Sequence, residues 1–362
     1  MSDEMEIYPY SLECVLQEKM WGGRNLERLL HKSLPAGRLI GEAWEAWPGC
    51  VVMNGPQAGQ RLSQLLERNP RAVLGDSAPP DALFPLLFKY VDAQDDLSVQ
   101  VHPDDLGARQ QEGLPLGKTE AWYILHAEPG AVVIHGFKAD LDAATVHAHL
   151  RERRLADLLS VVRVQAGDVL FVPAGVVHAI GKGIVLAEIQ QNCDITYRLY
   201  DWDRKLPSGQ GRDLHVDKAM PVLDLTGLSE HYIPPLTIHH DGYDQQALVA
   251  CRYFVLERLT IHAPQRAFRL NGKFHILSCI EGAATISGVP VAQGRTVLVP
   301  AGLETYDLSP TAVPCRLLRA YVPSLREDVI APLVAAGHDA AGIARLGGFV
   351  SRYNDLLPWV NG

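Results

Sequence analysis

The chain has no long apolar run, no paired-cysteine motif and no excess of positive charge, and each absence removes a class of protein. No uninterrupted apolar stretch approaches the roughly 18 residues that a membrane-spanning helix needs. The opening residues, MSDEMEIYPYSLE, are acidic and lack the apolar centre of a signal peptide. A cytoplasmic location with no membrane partner is therefore expected. The six cysteines (Cys14, Cys50, Cys193, Cys251, Cys279, Cys315) are scattered without a C-x-x-C pair. They read as reduced, mostly buried thiols rather than a disulfide frame or a thiolate zinc site. A formal net charge of −9 argues against a general nucleic-acid binder, which carries a basic face. It leaves room for a small anion, because a pocket can be locally basic.

What is present is the composition of a globular protein with a large core. At 362 residues, with 47% apolar and 21% charged residues, the chain is expected to hold about two domains. The stretch that organises it is 167–198, GDVLFVPAGVVHAIGKGIVLAEIQQNCDITYR. An apolar strand, Val169–Val172, runs into the Pro173-Ala174-Gly175 corner, and His178 follows three residues after the glycine. Proline fixes φ and glycine permits a positive φ, so this tripeptide turns the chain sharply between two strands. The spacing G-x5-P-x-G-x2-H resembles the second motif of the cupin barrels, in which that histidine binds a metal inside the barrel.

Upstream residues offer partners for it. In Phe84–His102 two strands flank a polar DAQDD turn, and in the second of them Gln100 and His102 alternate with Val99 and Val101. Side chains of a strand alternate faces, so Gln100 and His102 point the same way. Lys118 and Glu120 share a face by the same rule. Two imidazoles, a carboxylate and an amide oxygen form a mixed nitrogen–oxygen set suited to Zn²⁺ or another divalent first-row ion with an open position. Gln100 is the weakest ligand type of the four. The stretch 141–159, LDAATVHAHLRERRLADLL, has helical spacing, and its His147 and His149 fall on different faces as surface or packing residues.

Part of the chain repeats. Residues 294–305, GRTVLVPAGLET, match GDVLFVPAGVVH at 167–178, and IEGAATISG at 280–288 echoes AEPGAVVIHG at 127–136. The offset is too large for a solenoid, so a duplicated domain is expected. The second copy carries Thr305 in place of His178. Matching Gly282 to Gly130 puts Gly272 or Lys273 in place of Glu120, so one metal site is expected, in the first copy, with His275 as a core histidine. The Pro- and Gly-rich segment 207–240, marked by Pro234-Pro235, sets a boundary near residue 235. The division is thus 1–235 for a catalytic domain with the metal site and a helical insertion, and 236–362 for a similar domain without one.

Taken together, these motifs closely resemble those of the type I mannose-6-phosphate isomerases (phosphomannose isomerases), in the shorter bacterial branch of this cupin family. The matching residues are WGGRNL at 21–26, GEAWEAW at 41–47, LFKYVDAQDDLSVQVHPDD at 87–105, GKTEAWYIL at 117–125, VPAGVVHAIGKG at 172–183 and EIQQNCDITYRLYDWDR at 188–204. Ala43 and Cys193 depart from the serines usual at those places. The resemblance implies a mainly β fold of two cupin-type jelly-roll barrels with a few inserted helices. It implies a zinc-dependent aldose–ketose isomerase, with one Zn²⁺ per chain held by His102, Glu120 and His178 with Gln100 as the fourth, and a sugar phosphate as the small-molecule substrate. It puts the active-site arginine at Arg198. For the proton-transfer base the residues leave Glu188, Asp194 and Lys118 open, and for phosphate Lys118, Arg198 and Arg204, with a surface ion pair as the other reading of Asp201 and Arg204. Two further readings stay open: another metal-dependent cupin enzyme, such as an oxygenase or a different sugar-phosphate isomerase, and a non-catalytic sugar-binding module. A monomer and a dimer are both compatible with the sequence.

Overall fold

The computed structural model describes residues 5–76, 83–205 and 208–360; residues 1–4 of the acidic start and Pro207 of the inter-repeat segment lie outside them. In chain order the first part supplies β1 (Tyr10–Glu13), β2 (Val15–Gly23), β3 (Ile40–Ala46), β4 (Val51–Val52), β5 (Leu86–Ala93), β6 (Val99–Val101), β7 (Glu120–Ala127), β8 (Val132–Phe137), β9 (Leu159–Arg163), β10 (Val169–Val172), β11 (His178–Ile180), β12 (Ile184–Gln191) and β13 (Tyr197–Tyr200). The second part supplies β14 (Leu236–His240), β15 (Tyr243–Ala250), β16 (Val255–Ile261), β17 (Gln265–Arg269), β18 (His275–Ile286), β19 (Val289–Ala292), β20 (Thr296–Val299) and β21 (Thr305–Tyr321). The fold is mainly β, of the cupin type, with short inserted helices.

Two antiparallel sheets of the first part face each other, in the orders β10-β7-β12-β5-β3-β2 and β13-β6-β11-β8-β9. Strand β12 explains why. Its residues are buried along its whole length, so both faces are covered and it reads as a nearly continuous apolar run. Ile184 and Leu186 join the apolar lining between the sheets, with Val91, Trp122 and Val172. Val185, Ala187 and Ile189 point the other way, into a core shared with Phe254, Ile276 and Leu298 of the second part. The far face of the five-stranded sheet is covered by the helix Ala143–Arg151 through Val146 and by Leu155. That helix is shorter than the spacing over 141–159 predicts, because Arg153 adopts a left-handed φ of 58° that ends it. A 3-10 turn, Leu155–Leu158, then leads directly into β9.

The third sheet, β14-β15-β16-β21-β18-β20-β1-β4, takes its last two strands from the first 52 residues. The halves are therefore laced together, and a buried polar chain crosses between them. Tyr90 Oη lies 2.5 Å from Ser278 Oγ, Ser278 Oγ lies 2.7 Å from Thr296 Oγ1, and Thr296 donates to Glu45 Oε2 at 3.0 Å. Lys32 Nζ closes the chain on the other oxygen of Glu45 at 2.5 Å.

The strand register revises the equivalence of the two copies. Glu120 pairs with Val172 just before the VPAG corner, and the residue paired with the matching Val299 is His275. The place of Glu120 therefore falls on His275, not on Gly272 or Lys273. Counting back from a turn glycine fails because β18 carries bulges around Glu281 and closes only at Ser287-Gly288, whereas a bulge adds residues without adding length. Thr305 is likewise aligned with His178 in sequence but points outward and is exposed. Glu304, with φ 60°, shifts the pleat by one, and the buried Tyr306 takes the inward position.

Glu45 is 1% exposed and is the only anion within ion-pair distance of the buried Lys32 among the described residues. Removing one partner of a buried pair strands the other charge in the core, so Glu45→Ala should cost about 3–5 kcal/mol. A urea-denaturation midpoint unchanged from wild type would refute the role given to this chain of contacts.

Candidate metal centre

Three side chains meet between the two sheets at one end. His102 follows β6, Glu120 opens β7 and His178 opens β11, and each is 1% exposed. His178 sits directly opposite Gln100 across the β11–β6 ladder. Gly175 of the corner, at φ 91°, donates its N–H to the His102 carbonyl at 2.9 Å. The turn predicted from Pro173-Ala174-Gly175 thus both delivers His178 and fastens His102. A Cβ at Gly175 would meet Tyr353 Oη at 2.8 Å and Val222 O at 2.9 Å, so the corner requires glycine for space as well as for φ.

The ligand-type atoms of His102, Glu120 and His178 all lie within 4.8 Å of one another. Glu120 Oε1 is 3.4 Å from His178 Nε2, and Glu120 Oε2 is 3.5 Å from His102 Nε2. Nδ1 of His178 lies 2.9 Å from the Val176 carbonyl. A carbonyl only accepts, so the proton is on Nδ1 and the Nε2 lone pair faces the cluster. Trp122 Nε1–H holds Glu120 Oε1 at 3.1 Å. Burial lowers the His178 pKa to about 4, against the opposing pull of the Val176 carbonyl. Burial, then the charge of Lys118, puts His102 well below its ordinary value. Both imidazoles are neutral at pH 7. Gln100 is half-buried, with its amide nitrogen 3.3 Å from His178 Nε2; half a turn about its last bond brings the amide oxygen there instead.

These observations test whether a cation fits. The cluster joins two neutral imidazoles to a carboxylate, and neither ring carries the extra proton that would let it answer Glu120 as a cation. His102 Nε2 is buried with no hydrogen-bond partner among the described residues, a costly state unless something positive occupies the gap. A divalent ion fits this donor set.

The other predicted site residues fall around this cluster. Lys118 Nζ is 3.0 Å from Glu120 Oε2 and 3.8 Å from Glu188 Oε1. Burial works against its charge, but Glu120, Glu188 and Asp194 together outweigh it and the Lys118 pKa is raised. Lys118 is therefore an ammonium here, not a free base. Burial and then the charge of Glu120 push Glu188 up to about 7. Arg198 pairs with Gln100 across the β13–β6 ladder, so it shares that residue's face. It is half-buried, its Nη1 donates to the Asp213 carbonyl at 2.8 Å, and its Nε has no hydrogen-bond partner among the described residues. Asp194 is exposed. Asp201 and Arg204 do not form a side-chain pair: Asp201 is held by Arg212, while Arg204 reaches the Asp96 carbonyl and Asp95. His147 is exposed, and His149 hydrogen-bonds the Thr145 carbonyl within its helix.

Sequence reasoning missed Lys89 and Glu42. Lys89 Nζ lies 3.2 Å from Glu188 Oε1 and 3.7 Å from Glu42 Oε1. Each is a charge at a buried place of a strand, FKYVDA and GEAWEA, whose other faces carry apolar residues and a second acid, Asp92 or Glu45, and those charges within largely apolar runs were the available signal.

A cupin fold with an inward set of two histidines and a carboxylate defines a metal-binding cupin. Residues 10–138 match the family model "Phosphomannose isomerase type I, catalytic domain", and 244–322 match "Mannose-6-phosphate isomerase, cupin domain". The chain is 36% identical over 315 residues to the mannose-6-phosphate isomerase ManA of Bacillus subtilis, covering 84% of this chain and 96% of that one. It is 35% identical over 308 residues to a mannose-6-phosphate isomerase of Streptococcus mutans, covering 83% and 89%. The crystal structure of a mannose 6-phosphate isomerase from Bacillus subtilis superposes with a TM-score of 0.78 at 32% identity, covering 86% and 99%. A mannose 6-phosphate isomerase bound with zinc and yttrium shares the fold, with a TM-score of 0.68 at 18% identity and coverage of 87% and 99%. This chain belongs to the mannose-6-phosphate isomerase family.

Elemental analysis of the purified protein should find about one divalent metal per chain, and His178→Ala should lose it while the fold persists. Full metal content in that variant would dismiss the cluster as the metal site.

Proposed function

We propose that this chain is a zinc-dependent isomerase interconverting mannose 6-phosphate and fructose 6-phosphate through a cis-enediolate. The single observation that carries the reading is the convergence of His102, Glu120 and His178 beside the buried pair Glu188 and Lys118. Zinc suits a set of two histidines and a carboxylate that leaves a position open, with Gln100 as the fourth ligand. When bound, zinc supplies a Lewis acid that stabilises negative charge developing on a sugar oxygen.

The reaction moves hydrogen between C1 and C2. Glu188 takes the proton from C2 of the open-chain aldose and returns it to C1, and the carbon skeleton and redox balance close without a co-reactant. A base works best with a pKa near the operating pH, and Glu188 is pushed up to about 7 by burial and by the charge of Glu120. Lys118, held as an ammonium between Glu120 and Glu188, donates to the oxygens that exchange hydroxyl and carbonyl character. Arg198 adds a permanent positive charge on the Gln100 face, where it steadies the enediolate oxygen. The half-buried position of Arg198 and its Nε, without a hydrogen-bond partner among the described residues, support a partner arriving from the substrate.

In a coupled assay on mannose 6-phosphate, chelation should abolish turnover and zinc should restore it. Glu188→Gln should keep its metal and lose roughly 10²–10⁴ in kcat, the usual contribution of a general base; an unimpaired variant would remove Glu188 from the reaction.

Arg198→Ala should also keep its metal and lose roughly 10²–10³ in kcat. A loss confined to KM would instead make Arg198 a phosphate anchor, since that is how uniform binding is lost.

A further inference from the structure

The second barrel is not filled in. At the end corresponding to the metal centre it holds a cavity of about 670 Å³, bordered by His275, Arg319, Tyr321, Lys273, Asn271 and Gln245. That volume lies in the range of small-molecule sites.

The strand registers show what became of each functional position. His275 stands where Glu120 does, by the pairing already described. Two residues further along each strand, Trp122 pairs with Glu188 in the first barrel and Leu277 pairs with Arg319 in the second. One strand further over, Glu188 pairs with Lys89 and Arg319 with Glu257. The buried carboxylate–ammonium pair of the first barrel is thus replaced by a guanidinium–carboxylate pair of reversed polarity. Tyr306 fills the inward place of His178, with its hydroxyl 3.3 Å from His275 Nδ1. Among the described residues the only cluster of metal-ligand type is that of the first barrel, so metal chemistry has gone while the pocket and its buried polar groups persist.

The groups that remain are specific about their partner. Arg319 Nε donates to Glu257 Oε2 at 2.6 Å, and Gln245 holds the other Glu257 oxygen at 2.7 Å. Lys273 Nζ is 3.1 Å from Asp328 Oδ2. Both buried cations are already balanced, and an exposed Glu327 at the rim offsets the exposed Arg269. An anion would find no uncompensated charge. A hydroxyl, which both donates and accepts, fits such groups without disturbing their pairing. Tyr321 and His275, with rings 4.8 Å apart, offer flat apolar surface to the C–H face of a sugar ring.

We propose that the second barrel is a non-catalytic binding site for a neutral polyhydroxylated ligand of hexose size, held by His275, Arg319 and Asn271 over Tyr321. The inference does not depend on the substrate assigned to the first barrel.

The test uses D-mannose as the probe and saturation-transfer NMR on the full chain. Ala335→Trp adds bulk at the exposed rim of the cavity, on the helix Ala331–Ala335, without entering the core. His275→Leu removes the polar floor. His275→Leu should weaken mannose binding about tenfold, the loss of roughly one good hydrogen bond, and Ala335→Trp should weaken it at least as much by filling the rim, while turnover of mannose 6-phosphate is unchanged in both. Ala335→Trp keeps the test valid should His275→Leu fail to fold. The proposal is overturned by absence of mannose binding to the wild type. It is equally overturned by mannose binding that survives Ala335→Trp, which would locate the sugar elsewhere, or by inorganic phosphate displacing mannose from the cavity, which would make this an anion site.

Discussion

The first barrel depends on burying charge in its interior without leaving any of it alone. Lys19, Glu42, Lys89, Glu188, Lys118 and Glu120 form an alternating file, with successive gaps of 3.6, 3.7, 3.2, 3.8 and 3.0 Å. Desolvating any one of these groups singly costs several kcal/mol. In sequence they bring each positive charge next to a negative one, so the file is nearly neutral as a whole. Its outer members set the state of the inner ones. The charges of Lys89 and Lys19 overcome burial and hold Glu42 down to about 2. Glu188 is instead pushed up to about 7, by burial and then by the charge of Glu120. Two carboxylates on one file thus differ in proton affinity because of where their neighbours lie.

That balance bears on the proposed chemistry. With the imidazoles neutral and the file compensated, a bound divalent ion leaves a net positive pocket. A dianionic phosphate ester and an enediolate are what such a pocket favours. Lys89 and Glu42 touch no substrate in this scheme. Lys89 pulls Glu188 toward its charged form against burial, and Glu42 answers the charge of Lys89; the two are 4% and 7% exposed.

Much of this was legible in the sequence, because strand alternation is a rigid rule. Gln100 with His102, and Lys118 with Glu120, share faces wherever the strand goes, and the Pro-Ala-Gly corner fixes where His178 emerges. Lys89 and Glu42 were harder, since a charge in an apolar strand looks like an exposed position until the opposite charge is found across the sheet. The equivalents in the second copy were harder still. Bulges near Glu281 and one left-handed residue, Glu304, move the register by a few residues and the facing by one. Neither distortion has a strong sequence mark, whereas the VPAG corner survives in both copies and therefore anchors the comparison correctly.

The reversed pair accompanies the difference between the barrels: among the described residues only the first brings metal-ligand side chains together. A guanidinium stays protonated at any working pH, so Arg319 in the place of Glu188 puts a fixed positive charge beside the space a divalent ion would need. Of the ligand positions only His275 keeps a donor suited to a transition metal, and burial together with the charges of Arg319 and Lys273 holds it neutral. Glu257 answers Arg319 as Lys89 answers Glu188, because the two sheets offer the same paired positions and a buried charge at one demands its opposite at the other. The duplication thus preserves a rule of pairing rather than a set of residues. Changing the residues at the places of Glu120 and His178 to His275 and Tyr306, together with reversing one pair, leaves a pocket whose buried charges still cancel each other.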